Sequence, residues 1–323
     1  MKAERRPQPL TPRSRQPGAQ AGTSVSIIGV GRLGTALARA LAGCGYTIEA
    51  LVARRAAHAR RAAHLSGTKA LALAATHLGQ LPASRLLIIT TPDDAIADTA
   101  ARLAAAFKAP RGRGRTALHA SGALSSEALS DLRAAGFATG SLHPLVSVTE
   151  SARGALSLRE AFYCVEGDRA AVGVARRIVR DLGAESFTIR TEDKALYHAA
   201  AVMASGHLVA LFDIAAEMLS RCGLSERRAR AVLLPLVEST IENLATLSPA
   251  RALTGTFARA DLSTLRRHLR AMRAVAGAQA LAAYLLLGQR SLQLAEQNGA
   301  DKKSLEEMAR LLEEHLSRMP APS

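Results

Sequence analysis

Residues 24–34 read Ser-Val-Ser-Ile-Ile-Gly-Val-Gly-Arg-Leu-Gly, an apolar run that passes directly into GxGxxG. The context constrains the fold more than the three glycines do. Val25, Ile27 and Ile28 read as a buried strand, Gly29, Gly31 and Gly34 as a turn, and residues 35–41 as a helix. A strand, a tight turn and a helix in that order open a βαβ unit. In such a unit the first glycine permits the turn. The second lets the backbone approach a pyrophosphate, and the third lets helix and strand pack closely. The phosphates then rest on free N–H groups at the helix N-terminus, where the dipole favours negative charge. The stretch therefore predicts a dinucleotide site built from Gly29, Gly31, Arg32, Leu33 and Gly34.

The pattern after it alternates. Residues 47–52, 70–73, 85–90 and 116–119 read as further strands, with Ala-rich helical stretches between them. Residues 161–165 and 186–189 continue the series around a helix over 169–182. Alternation of this kind predicts an α/β, Rossmann-type, doubly wound parallel sheet with helices on both faces. After Thr191 the strand signals stop, and residues 192–222, 225–247, 261–295 and 301–318 read as helices, the second kinked at Pro235. The expected organisation is a basic tail over 1–22, a nucleotide-binding domain over 23–190 and an all-α domain over 191–323. Ligands on open α/β sheets bind at the carboxyl ends of the strands. Chemistry is therefore sought at residues 29–34, 53–55, 90–94, 119–122 and 143–144.

The second strand decides which nucleotide. Folds that prefer NAD place Asp or Glu about 20 residues past the glycines to hold the ribose hydroxyls. This chain has Ala53-Arg54-Arg55 there. A guanidinium grips a 2′-phosphate in bidentate fashion, which a carboxylate repels. Arg54 and Arg55 therefore predict NADP(H). Thr91 and Pro92 read as a cofactor-facing loop, with Pro92 starting the turn and Asp94 capping the next helix.

The chain carries 42 Lys plus Arg against 27 Asp plus Glu, a net charge of +15. Part of the excess lies in the tail, whose Arg and Pro residues leave it too polar to order itself. Aromatic residues make up only 3% and there is no Trp, which argues against a stacking surface for nucleic acid. Three widely spaced cysteines fit a reducing, cytoplasmic compartment. No apolar run reaches the roughly 20 residues that span a bilayer, residues 274–287 coming nearest. No His, Cys or carboxylate cluster has metal spacing. The expectation is no nucleic-acid, membrane or metal site.

Five strings resemble one family when taken together: HASGALSSEAL (119–129), GSLHPLVSV (140–148), EDKALYHAAAVMASGHLVAL (192–211), LLPLVESTIENL (233–244) and ALTGTFARADLSTLRRHL (252–269). They resemble a bacterial family that joins a Rossmann-like domain to a C-terminal domain of unknown function. That family is distantly similar to 6-phosphogluconate dehydrogenase-type enzymes and pyrroline-5-carboxylate reductases. The resemblance implies NADP(H) binding by the first domain and a helical second domain that pairs with a copy of itself. Three positions depart from the family pattern, where Asn, Pro and Gly are usual and this chain has Gly206, Thr256 and Ala260.

Hydride transfer to or from a carbonyl needs a proton partner. Lys194, His198 and Ser205 fall within roughly 40° of one face of a continuous helix, with Tyr197 beside them. By similarity to the dehydrogenases, whose corresponding helix brings a Lys beside the nicotinamide, Lys194 is the first choice for acid, base or anion ligand, and His198 the second. Ser121 and His143 lie at strand ends, Ser121 suited to bind a substrate oxygen. A similar His-Pro pair occurs in prephenate dehydrogenases. Asp261 reads as an N-cap and Arg259 as a candidate carboxylate ligand. The leading expectation is an NADP(H)-dependent oxidoreductase acting on a small, anionic substrate in an interdomain cleft. The alternative is a non-catalytic NADP(H)-binding sensor that signals through its helical dimer.

Overall fold

The computed structural model describes residues 22–107, 114–148, 151–275 and 277–319. The expected tail over 1–22 lies, but for Gly22, outside them. Contacts divide the chain into two compact units, one ending at Met203 and one starting at Ala204. The first unit thus extends past residue 190 and includes a helix expected to belong to the second.

The first unit is built on eight strands: β1 (Ser24–Ile28), β2 (Thr47–Ala53), β3 (Leu71–Ala74), β4 (Leu86–Ile89), β5 (Thr116–His119), β6 (Ala138–Pro144), β7 (Phe162–Gly167) and β8 (Glu185–Thr188). They form one sheet in the order β3-β2-β1-β4-β5-β6-β7-β8. The first six run parallel, as the alternation predicts. β7 instead pairs antiparallel with β6, and β8 returns parallel to β7. The link from β6 to β7 carries the helix Ser151–Glu160, which the sequence reading did not anticipate.

Why these residues form the sheet is visible in its middle. Ile27 pairs with Leu51 on one side and Ile88 on the other, and all three face one apolar cluster. Ile28 pairs with Val52 and Ile89, and these face the opposite cluster. A period of two with both faces covered needs apolar residues at every position, which is what runs such as Leu-Leu-Ile-Ile supply. Each such side chain contributes about 1.5–3 kcal/mol on burial. The first helix, Arg32–Gly43, begins inside the glycine motif and lays Ala36, Leu37 and Leu41 on the sheet.

Two long helices expected in the C-terminal half are broken. The stretch 192–222 is a short 3-10 turn, Thr191–Asp193, then Lys194–Ala204 and Gly206–Arg221. Ser205 between them has φ −123° and ψ −70°, outside helical geometry. Ser205 therefore does not continue the face that carries Lys194 and His198. The stretch 261–295 is Leu262–Val275 and Ala278–Gln297, the second starting after an extended Gly277. Helix Glu226–Thr246 runs on through Pro235.

The second unit packs its own core. Leu265 and Leu269, Leu285 and Leu292, and Leu305, Met308 and Leu312 recur at helical spacing on three helices and are buried together. Asp261 caps the first of these, its carboxylate accepting the Thr264 N–H over 3.0 Å. Thr264 N–H and Oγ1–H and the Ser263 hydroxyl hold that carboxyl down at about 2. Asp94 is no cap: it lies in the 3-10 turn Asp93–Ala95, and no side chain caps the helix Ile96–Ala106.

One helical stretch among the described residues, Thr191–Arg221, is long and apolar enough by composition to cross a bilayer. Its polar interruptions, His198, Ser205 and His207, hid it from a count of uninterrupted apolar residues.

Candidate functional site

The glycine turn has the geometry its spacing predicts. Gly29 has φ +97°, which side chains resist, and a Cβ there would lie 2.6 Å from the Thr91 nitrogen. A Cβ on Gly34 would lie 2.8 Å from the Gly29 carbonyl oxygen. A Cβ on Gly31 would meet nothing within 4 Å. The first and third glycines thus exist for the protein's own packing, whereas the second faces open space. Thr90 fixes the turn by donating its N–H to the Ile28 carbonyl over 2.7 Å and its hydroxyl to that of Gly29 over 2.8 Å.

That open space is a cavity of about 950 Å³ at the carboxyl ends of the strands. Gly29 to Leu33, Arg54, Thr91 and Pro92 line one part, and Ala120, His143 and Pro144 line another. The first-turn amides of Arg32, Leu33 and Gly34 have no intrahelical acceptor and suit a phosphate. The Thr91 hydroxyl is buried without a hydrogen-bond partner, a polar atom that a ligand would satisfy. The cavity therefore fits a dinucleotide. Arg54 lines it, together with His58, which the sequence reading passed over. Arg55 does not line it and instead sits at the N-cap position of the helix Ala56–Ser66.

The polar residues beyond β5 and β6 form one network within the first unit. Lys194, only 1% exposed, donates to the Ser121 carbonyl oxygen over 3.1 Å and to Ser141 Oγ over 3.0 Å. It does not line the cavity. Burial pushes its pKa down, and Cys164, Glu166 and Asp93 oppose that. Ser121 is equally committed to the fold: its Oγ accepts the N–H groups of Ala123 and Leu124 at 3.1 and 2.9 Å. Its own N–H donates to His119 Nδ1, while His119 Nε2 donates to the Ser125 carbonyl oxygen over 3.0 Å. Burial pushes His119 down to about 4, so the ring is neutral and those two bonds assign its proton to Nε2.

His143 is the one of the four expected catalytic residues that lines the cavity. Its Nδ1 lies 2.6 Å from the Tyr197 hydroxyl oxygen. Burial, then the charges of Lys194, His198 and His119, hold it at about 4. His198 packs edge-on against it, ring centroids 5.7 Å apart, and the buried His198 Nδ1 has no partner. Both imidazoles crowd Gly122: a Cβ there would overlap His198 Nδ1 and lie 2.8 Å from His143 Cε1.

Ser141 and Glu166 escaped the sequence reading. Ser141 stands two residues before His143, hence on the same face of β6, a spacing that was legible. Glu166 faces Ser141 across the β6–β7 pair. It accepts hydrogen bonds from Ser126 and from the Thr191 hydroxyl, which fastens the start of the Lys194 helix to the turn after β5. Only the register reveals that role. Among the described residues no group of three or more His, Cys, Asp or Glu is placed to hold a metal.

Residues 11–144 match the Rossmann-like domain, and residues 161–291 match the domain of unknown function DUF2520. Similar solved structures include a Bacteroides fragilis protein named as an NADP oxidoreductase, with TM-score 0.68 and 22% identity over 84% of this chain and 99% of that one. A Thermotoga maritima protein has TM-score 0.65 and 23% identity over 85% and 99%. A 1-pyrroline-5-carboxylate reductase from Streptococcus pyogenes has TM-score 0.55 and 13% identity over 90% and 100%. At these identities the likeness is one of fold. No curated protein sequence matches the chain.

Proposed function

From a chain that joins a Rossmann-like domain to a DUF2520 domain, we propose an NADP(H)-dependent oxidoreductase that passes hydride to or from a small, anionic substrate. The observation that carries the reading is one cavity with two kinds of wall. Glycine turn, Arg54 and Thr91 suit a nucleotide, and His143 stands at another part of the lining. Arg54 is exposed just past β2, where it and His58 would meet a 2′-phosphate. The cofactor, when bound, supplies or accepts the hydride. His143 handles the proton, and the nearby Lys194 ammonium gives that part of the cavity a field that favours an anion.

Self-association is part of the proposal. Leu208, Val209 and Leu211 on one helix of the second unit, and Leu234, Leu236 and Ile241 on the next, are exposed in the single chain. Apolar side chains gathered on neighbouring helices suit a second copy.

Fluorescence titration with NADPH and NADH tests the cofactor. The reading expects NADPH to bind at least tenfold more tightly, and equal affinities would sink it. NADPH oxidation with small keto and imino acids then tests the reaction, and light scattering tests the dimer.

A further inference from the structure

We propose that Tyr197 is a positioning residue for the proton step: it holds His143 with its proton on Nε2 and resupplies that proton through Nδ1. The proposal rests on the oxidoreductase reading and adds the source of the proton to it.

The argument starts from register. His143 and Cys164 stand directly opposite one another in the antiparallel β6–β7 pair. The Tyr197 hydroxyl lies 2.6 Å from His143 Nδ1, and it also influences the Cys164 thiol opposite. One nitrogen of the imidazole is therefore turned inward onto the phenol. The opposite edge, with Cε1 and Nε2, faces Gly122, and the residue lines the cavity.

With all three groups neutral the chain can run in either of two directions, and the assigned one has the phenol donating to the imidazole. Burial disfavours ionisation of both the thiol and the phenol, and His143 is neutral at pH 7. The phenol proton goes to Nδ1. The imidazole proton is then left on Nε2, on the edge that faces Gly122.

A neutral imidazole is a weak acid, and donating alone it would leave a strongly basic imidazolate. The phenol removes that obstacle. As hydride from the nicotinamide adds to the substrate C=O or C=N carbon, the former double-bond pair moves to the heteroatom. That atom takes the Nε2 proton, and Nδ1 takes the Tyr197 proton in the same motion. The imidazole ends neutral. The phenolate left behind regains its proton from water. Burial raises the Tyr197 phenol above its ordinary value, but a developing alkoxide is more basic still, so the transfer runs downhill. In the oxidative direction the same chain runs backward.

The test is ¹⁵N NMR of the protein labelled at histidine, with His143 assigned by comparison with His143→Asn. The expected result is a protonated Nε2 and a bare Nδ1 at His143 in the unaltered protein. In Tyr197→Phe the His143 proton should redistribute between the two nitrogens, and Cys164→Ala should leave it on Nε2. A proton on Nδ1 in the unaltered protein, or an unchanged tautomer in Tyr197→Phe, overturns the proposal. Kinetics add a second readout. Tyr197→Phe should lower kcat by about 10²-fold, in the range of a lost proton-transfer partner, with NADPH affinity kept within about twofold. A full kcat in that variant also overturns it. Failure of the unaltered protein to bind NADPH would instead defeat the oxidoreductase reading while the tautomer remains measurable.

Discussion

Lys194 Nζ donates to the Ser121 carbonyl oxygen across 73 positions of sequence, tying the helix Lys194–Ala204 to the turn after β5. The bond sets Lys194 behind the cavity wall rather than in it. Lys194→Met would leave that carbonyl and Ser141 Oγ without their donor. An unsatisfied buried acceptor costs about 1–3 kcal/mol, offset in part by no longer burying an ammonium. The expected net loss is about 1–2 kcal/mol in urea unfolding. His143 should also titrate at higher pH in the variant, since the Lys194 charge helps to hold it down. An unmoved His143 titration by NMR would contradict this.

Acid should weaken the first unit through His119 and His143. Both are held at about 4 in the fold against an ordinary value of 6.5. Between those values the unfolded chain binds more protons than the folded one, so stability rises with pH across that window. The contribution is fully present above about pH 6.5 and is lost as pH falls through about 4, on the order of 1–3 kcal/mol per ring. Unfolding free energies measured from pH 4 to 7 should show the slope. His119→Gln should remove part of it.

The three glycines of the turn should separate fold from binding. Gly29→Ala places a Cβ against the Thr91 backbone at φ +97° and should cost several kcal/mol. Gly31→Ala meets open space in the protein, so thermal stability should hold. Its methyl projects where a pyrophosphate would lie, and NADPH affinity should fall at least tenfold.

Arg54 and Arg55 should behave differently although they are neighbours. Arg54→Ala removes a cavity-lining guanidinium and should cut the preference for NADPH over NADH by about tenfold or more, a charge-assisted bond's worth. Arg55→Ala should change it by less than twofold, since Arg55 lies outside the lining. Paired titrations of both nucleotides decide it.

Ala260 is the one non-glycine residue with positive φ, 49°, among the described residues. A Cβ in left-handed backbone costs about 1–2 kcal/mol, and glycine's extra freedom in the unfolded chain returns part of that. Ala260→Gly should therefore raise unfolding stability by about 0.5–1 kcal/mol. A lower melting temperature would refute this account.

The features legible in the sequence were the local ones. Strand, turn and helix over residues 24–43 follow from a run of apolar residues with both faces buried and from sterics that only glycine satisfies at Gly29. Arg54 just past β2 was legible for the same reason, because a parallel strand delivers the residues that follow it to the ligand edge. Helix breaks were legible poorly. Ala-rich stretches around Ser205 and Gly277 keep an apolar pattern, and the interruption lies in backbone angles rather than in composition.

The meeting of polar residues belonged to the tertiary structure. By itself the sequence determined a dinucleotide turn, a mostly parallel sheet and a helical second half, because periodicity and steric exclusion act over a few residues. Only the fold decided that Lys194 serves Ser121, that Tyr197 meets His143 and that Glu166 fastens Thr191 to Ser126. Those pairings depend on register across β6 and β7 and on the angle at which one helix returns to the sheet. Both are fixed by packing between segments distant in the chain, and no local pattern encodes them.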